Sequence, residues 1–494
     1  MDSDDQELLK LYQKSIYDQS LQINYNYTRY TNREIAKVKS IKLAEFLNIS
    51  KVYAFNCPYL SLEHSPQNLT ECSINNCELK SISGIEKMIN LISLELKDNN
   101  IADISPLKSL TKIEILNLQS NQIQDISILE NLSCLEKLYL NNNKVNSLQG
   151  LGKQLQLRWL NLQLNQVTNI EPLSTLLQLK RLILDGNQVE DIGSLCNMNL
   201  EEFGISNNKI TSIEPLKFSK SLNELNLARN QINNISVLSE MYGLRILDLE
   251  SNIIEDITPL KGKYIYKLLL GSNNIQNILP LAGMEPKELT LQYNEKISDY
   301  SILRNMTDVK YLDLSSCKLQ NASFLHQMTE LITLKLSCNK INDIAFVRGM
   351  RRLHHLDLSY NSIIDLTPLQ CVDYNTTIYL HGNRICDMKA IKNHDLHNIT
   401  LNFNYITDYT HLDQDEINEM EEPSAELVHQ SNILSKINQP QNYLQMMFNR
   451  KRDFLEQFEM NMYEVNDQIQ RALEEQTIYV QTFVMLMNES ECCQ

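Results

Sequence analysis

Eleven cysteines and nine histidines are the side chains of this chain best able to hold a metal ion or to act as nucleophile and base, and their spacing suits neither task. The cysteines stand at Cys57, Cys72, Cys77, Cys134, Cys196, Cys317, Cys338, Cys371, Cys386, Cys492 and Cys493, an odd total without paired metal-type spacing, which reads as reduced structural thiols. His354 and His355 are adjacent, so on a strand they face opposite sides, and no cysteine or carboxylate completes a ligand set around them. No phosphate-cradling glycine loop, nucleophile elbow, zincin helix or CxxC pair occurs, and the twelve glycines are scattered singly or at turns. The reading is therefore non-enzymatic, with no cofactor and no metal. What remains is binding chemistry: a single tryptophan, Trp159, with tyrosine and arginine at related spacings, the types that dominate interface energies.

Which of these residues share a face depends on a repeat. The stretch Leu91-Ile-Ser-Leu94-Glu-Leu96-Lys-Asp-Asn99-Asn-Ile101-Ala-Asp-Ile104-Ser-Pro106-Leu107 recurs along the chain, and its turn residue can be counted at Cys77, Asn99, Asn121, Asn143, Asn165, Asn187, Asn208, Asn230, Asn252, Asn273, Asn294, Cys317, Asn339, Asn361, Asn383 and Asn404. Sixteen coils result, 22 residues apart except for 21 before Asn208, Asn273, Asn294 and Asn404 and 23 before Cys317, where an extra residue in Asn294-Glu-Lys-Ile297 predicts a bulge. Leu94 and Leu96 lie on one side of a short strand, and Ile101, Ile104 and Leu107 return to the same interior; one copy cannot close a core, but stacked copies cover one another. The turn asparagine offers donors and an acceptor to backbone left without strand partners, and a small thiol substitutes at Cys77 and Cys317. Ser105-Pro106, Thr258-Pro259 and Thr367-Pro368 place a capping hydroxyl before a proline, predicting short 3₁₀ or α turns on the convex side.

Strand faces alternate, so in each coil the residues six, four and two positions before the turn residue point out of the core. Most are small or polar. Ile115, Tyr139, Trp159, Arg181 and Ile183 depart from that background and form the first candidate partner-binding patch, in which Trp159 either meets a partner or leans on Arg181 and shields the sheet. Glu202, Glu224, Asp248 and Glu250 make an acidic run, read either as a solvated face or as a site for a basic partner. Tyr311, His355 and Tyr379, with His381, add an aromatic and imidazole group near the far end.

The flanks differ from the array. Residues 1–68 are read as an N-terminal helical segment and cap: Thr31-Asn-Arg-Glu34 has capping-box form, Ile35, Val38 and Ile41 follow at helical spacing, and 47–68 is irregular. Residues 69–412 are the solenoid. Residues 413–440 are an acidic connector, opening at Asp413-Gln-Asp-Glu416, with a short helix; residues 441–494 are an amphipathic helix whose Phe448, Leu455, Phe458, Met462, Val465 and Ile469 share a heptad phase. That seam suits self-association as a coiled coil, packing on the solenoid, or a partner. The N-terminus lacks a basic-then-apolar leader and no window approaches about eighteen apolar residues, so the expected location is cytoplasmic or nuclear, with no membrane partner. A net charge of −16 argues against a phosphate backbone, hence no nucleic acid.

The 22-residue unit with D-I-x-P-L, as in Asp103-Ile104-Ser-Pro106-Leu107, resembles the leucine-rich repeat class shared by the nuclear regulatory subunit of type-1 protein phosphatase and by bacterial internalins. The resemblance covers residues 69–412. It implies an α/β repeat fold: a leucine-rich repeat solenoid with a concave parallel sheet, short turns on the convex side, and here flanking α-helices. The phosphatase-regulator likeness implies a face of aromatics and acids that holds a folded catalytic subunit, with which Trp159, Glu202, Glu224 and Asp248 are compatible. The expected function is a protein–protein interaction scaffold or adaptor binding on the concave face; the alternative is a regulatory subunit of a type-1 serine/threonine phosphatase.

Overall fold

The computed structural model describes residues 20–24, 41–42, 51–55, 60–62, 68–395, 398–402 and 404–406. Within them one parallel sheet of 18 strands runs from Ser20–Asn24 through Lys51–Phe55 and Glu71–Asn75 to Ile399–Thr400. Each coil enters the sheet in the same direction and in register, so that Leu116, Leu138, Leu160, Leu182, Phe203 and Leu225 lie opposite one another on successive strands. These side chains, together with Leu94, Leu96, Ile101, Ile104 and Leu107 of the founding repeat, are buried. Burial of whole leucine and isoleucine side chains, on the order of 1.5–3 kcal/mol each, is available only between neighbours, and this is why the chain stacks rather than collapses.

The turn residues form the hydrogen-bonded spine expected of them. Asn121 accepts the N–H of Ile101 at 3.0 Å and donates to Leu96 O and Leu118 O at 2.9 and 3.1 Å, tying one coil to the last. The residue before each turn asparagine from Asn99 to Asn383 swings through positive φ, as at Asp98 (56°), Ser120 (52°) and Gly186 (66°), which lets the chain leave the sheet sharply. The bulge at Asn294 also occurs: Ile297 N–H turns back to Asn294 O at 3.2 Å. That turn has a consequence one coil later. Elsewhere the corresponding N–H needs the next turn residue as acceptor; here it is already satisfied, and the next turn residue is Cys317, whose thiol instead donates to Leu291 O and Ser315 O at 3.4 and 3.5 Å.

Two expectations are corrected. The solenoid sheet begins before residue 69: Lys51–Phe55, within the stretch read as irregular, pairs residue for residue with Glu71–Asn75, burying Val52 and Ala54. Ile41, placed in a helix by its spacing, lies in Ile41–Lys42, which pairs with Leu60–Ser61. The two-residue apolar period of Val52 and Ala54 falls out of step with the array: Cys57 stands six residues after Lys51 as Cys77 does after Glu71, but the step between the two cysteines is only 20 residues. The second correction concerns the convex turns, which are 3₁₀ at Ser105–Ser109, Thr258–Leu260 and Thr367–Cys371. Their caps are not the hydroxyls. Asp103, Asp256 and Asp365 each accept the N–H two residues on, from Ser105, Thr258 and Thr367, at 2.8 Å. The same geometry at Asp125, whose oxygen takes the Ser127 N–H, holds that carboxyl below its ordinary range. The remainder of the expected N-terminal helix, the acidic connector and the C-terminal helix with its seam lie outside the described residues.

Candidate functional site on the sheet face

The strands Lys137–Tyr139, Trp159–Asn161, Arg181–Ile183 and Glu202–Gly204 set the first patch. Their register places Trp159, Arg181, Glu202 and Glu224 in one row and Tyr139, Asn161, Ile183 and Gly204 in the next. The Tyr139 and Trp159 rings meet with centroids 5.7 Å apart at 44°, and the Arg181 guanidinium lies 4.6 Å above the Trp159 ring. Arg181 Nε reaches Glu202 at 3.4 Å, in a pair whose side chains are 45 and 23 % exposed. Trp159 therefore does lean on Arg181, in a stack with one ring below and one carboxylate beyond. Its indole Nε1–H is covered and has no hydrogen-bond partner among the described residues. Ile183 lies beside Asn161 in the second row, while Ile115 is parted from Trp159 by the Lys137 strand.

The acidic run is not a row of equivalent carboxylates. Burial, then the charge of Glu224, pushes the Glu202 carboxyl up, against the pull of Arg181. Asp248 is pushed up to about 6, chiefly by burial, although its oxygen accepts the Glu250 N–H at 3.0 Å. Glu250 crosses a whole coil to take the hydroxyl of Thr290 at 2.6 Å and the Gln292 amide at 3.0 Å. That crossing is open because residue 271 is glycine: a Cβ there would stand 2.2 Å from the Gln292 side chain. Gly204 provides a second such slot. Asp185 lies over it, its carboxylate 2.7 Å from where a Cβ would be and its other oxygen accepting the Ser206 N–H at 2.6 Å. Asp185, Thr290 and Gln292 were not singled out from the sequence; the signal that points to them is a glycine at an outward strand position.

The third group assembles in part. His355 and Tyr379 meet with centroids 5.1 Å apart, and Tyr379 continues to His381 at 6.3 Å, whose other side carries Tyr360 edge-on at 4.9 Å. His381 Nδ1 lies 2.9 Å from the Thr400 hydroxyl. Tyr311 is one strand removed from His355 and meets Lys335, whose ammonium is 5.5 Å from its ring centre. Burial, then Lys335, holds the His355 imidazole below its ordinary pKa. Adjacent His354 faces away, its Nδ1 2.8 Å from Arg352 O. Among the described residues no three or more of His, Cys, Asp and Glu are grouped to hold a metal ion, and no helix is long and apolar enough to cross a membrane. The chemistry on offer is recognition: rings, a guanidinium and carboxylates on a rigid sheet.

Comparison with known proteins bears on the scaffold. Residues 198–254 match the family described as leucine rich repeat, and residues 111–153 that of leucine rich repeats in two copies. Among solved structures, a leucine-rich repeat protein of Leptospira interrogans superposes with a TM-score of 0.57 at 20 % identity, over 81 % of this chain and 98 % of that one. The functional domain of InlJ from Listeria monocytogenes does so with a TM-score of 0.54 at 22 % identity, over 66 % of this chain and 70 % of that one. The ectodomain of the membrane receptor kinase GASSHO1/SCHENGEN3 from Arabidopsis thaliana, solved in complex with Casparian strip integrity factor 2, gives 0.52 at 19 %, over 75 % of this chain and 53 % of that one. At these identities the likeness is one of fold. No curated protein matches the sequence.

Proposed function

Because this chain is a leucine-rich repeat protein, we propose that it is a non-enzymatic scaffold that binds a partner protein on the concave sheet, through the patch centred on Trp159. The observation that carries the proposal is the Tyr139–Trp159–Arg181 stack, which fixes a large aromatic surface in one orientation on the sheet face. Rigid aromatic anchors lose little side-chain freedom on binding, so their contact area contributes nearly in full. Arg181 is held to Glu202 only by a partly exposed pair with its nearest atoms 3.4 Å apart, close to the kind worth about 0–1 kcal/mol. A partner carboxylate replaces Glu202 at little cost. The Arabidopsis receptor ectodomain, which is held in complex with a named factor, is a precedent for the fold in this role.

The acidic residues deepen the reading less than their number suggests, since Glu250 is engaged within the sheet and Asp248 is desolvated. Glu202 and Glu224 remain the pair able to meet a basic group of the partner. The working compartment proposed is the cytoplasm or nucleus, which a fluorescent fusion tests. Affinity capture on the tagged chain followed by mass spectrometry tests the function itself: partners lost with Trp159→Ala and Arg181→Ala, at unchanged thermal midpoint, support it, with losses of tenfold or more, on the order expected of hot-spot residues. Full retention of every partner overturns it. A type-1 phosphatase catalytic subunit among the captured proteins would make the scaffold a phosphatase regulator.

A further inference from the structure

A second set of aromatic rings lies in the open on another surface, the flank where each convex turn descends into its strand. Tyr242, Tyr264 and Tyr266 are 74, 65 and 50 % exposed. They precede the strands Ile246–Asp248 and Lys267–Leu269 rather than lying in them, so this flank is separate from the Trp159 patch.

One residue beneath it breaks the repeat. Lys263 stands three residues after Leu260, where the coils on either side place Met241 and Met284. It is buried nonetheless. Its ammonium donates to Ser239 O at 3.0 Å and Met241 O at 3.1 Å and lies 4.6 Å from the centre of the Tyr242 ring. The pattern recurs nearby: the Arg245 guanidinium is 5.2 Å from the Tyr264 ring centre and donates to Tyr264 O at 2.9 Å, and Lys217 lies 5.0 Å from the Phe218 ring. Backbone bonds from Tyr266 N–H to Arg245 O and from Lys287 N–H to Tyr266 O, both 2.8 Å, seat Tyr266 between two cation-bearing residues.

We propose that this flank binds an acidic peptide segment of a partner protein, its carboxylates meeting Arg245 and the neighbouring lysines and its apolar side chains lying on Tyr242, Tyr264 and Tyr266. Charge complementarity argues for that occupant. Residues 217–220, 239–245, 261–266 and 282–287 hold six lysines and arginines against two glutamates, in a chain with 45 basic and 61 acidic residues overall. Lys220 is paired with Glu240, Lys287 with Asp308 of the next coil and Lys263 with two carbonyls, which leaves Lys217, Arg245 and Lys261 without a carboxylate among the described residues. The rings add to the preference. Tyr242, Tyr264 and Tyr266 offer exposed apolar area to the leucine-type side chains of such a segment. Size decides between acidic ligands. A long polyanion feels the net −16 of the whole chain, whereas a short peptide feels chiefly the charges within a Debye length, about 8 Å at physiological salt.

The test is fluorescence anisotropy of the full chain with three labelled probes: a peptide alternating glutamate and leucine, its lysine and leucine counterpart, and single-stranded oligothymidylate. The expected result is binding of the glutamate peptide at least about tenfold tighter than either other probe, weakened about tenfold by Tyr264→Ala and by Arg245→Glu, as for interface anchors. Trp159→Ala leaves this binding unchanged, which keeps it distinct from the sheet-face proposal. Lys263→Met, which installs the side chain that adjacent coils carry, is expected to raise the thermal midpoint and still weaken the glutamate peptide about threefold, a binding change that a purely structural lysine would not give. Equal affinity for the two peptides, tighter binding of the oligonucleotide, or wild-type affinity in the Arg245→Glu and Lys263→Met variants overturns the proposal.

Discussion

Replacing Asn121 by alanine removes a side chain that makes four hydrogen bonds, yet the structure predicts a cost well below four. Its amide donates to Leu96 O, Leu118 O and Gln119 O at 2.9, 3.1 and 3.1 Å. Leu96 O also receives the Asn99 amide at 3.0 Å, and Leu118 O the Asn143 amide at 2.9 Å, so both buried carbonyls keep a partner. What has no substitute is the acceptor for the N–H of Ile101, a residue wholly buried between coils. One orphaned buried donor corresponds to about 1–3 kcal/mol. Urea unfolding of wild type and variant measures the sum, and hydrogen exchange at the Ile101 amide measures the cause, which matters because an array of coils need not unfold in a single step. The expected outcome is a loss of about 1–3 kcal/mol with exchange accelerated first at Ile101. An undiminished stability with that amide still protected would refute the view that the spine works through this one unreplaced acceptor.

Two other perturbations test other parts of the structure. Burial pushes the Asp248 pKa up to about 6 in the folded protein, above the ordinary aspartate value of about 3.9, so the folded state holds the proton more tightly than the unfolded chain. Its carboxylate therefore costs nothing below about pH 4, a growing amount as pH rises from there through about 6, and its full amount above that. Asp248→Asn, which keeps an acceptor for the Glu250 N–H, should stabilise at neutral pH by at most about 3 kcal/mol and have no effect near pH 4, read from urea midpoints at both; an equal effect at the two pH values would contradict the assignment. Gly150→Ala should destabilise by roughly 1–3 kcal/mol or more, because its Cβ would stand 2.1 Å from Ile126 O, a backbone atom that cannot rotate away; a thermal midpoint equal to wild type would show that the coil shifts freely.

Much of this architecture could be read directly in the chain. The turn asparagines mark the coils because one buried side chain must serve the backbone of two of them, a requirement few residue types meet, and the extra residue after Asn294 was visible as a broken step. Lys51–Phe55 escaped because its coil is short, with a step of only 20 residues from Cys57 to Cys77, which breaks the 22-residue step and leaves only the alternation of Val52 and Ala54. The rows on the sheet face followed from strand alternation, so Tyr139, Trp159 and Arg181 could be placed together before any coordinates. The pairing of the acids could not. Glu250 reaches Thr290 and Gln292 only because Gly271 leaves a slot between them, a relation among three coils that no pattern within one coil reveals. Lys263 illustrates the same limit: its burial is tolerable only with two carbonyls from the preceding coil and the Tyr242 ring as partners.

The measurement that bears most directly on the central claim is a hydrogen–deuterium exchange footprint of the full chain with a captured partner. Slowed exchange confined to the strands Lys137–Tyr139, Trp159–Asn161, Arg181–Ile183 and Glu202–Gly204, and abolished by Trp159→Ala, is the predicted result. Protection that leaves those four strands unchanged while appearing elsewhere would contradict the assignment of the sheet face around Trp159 as the docking surface.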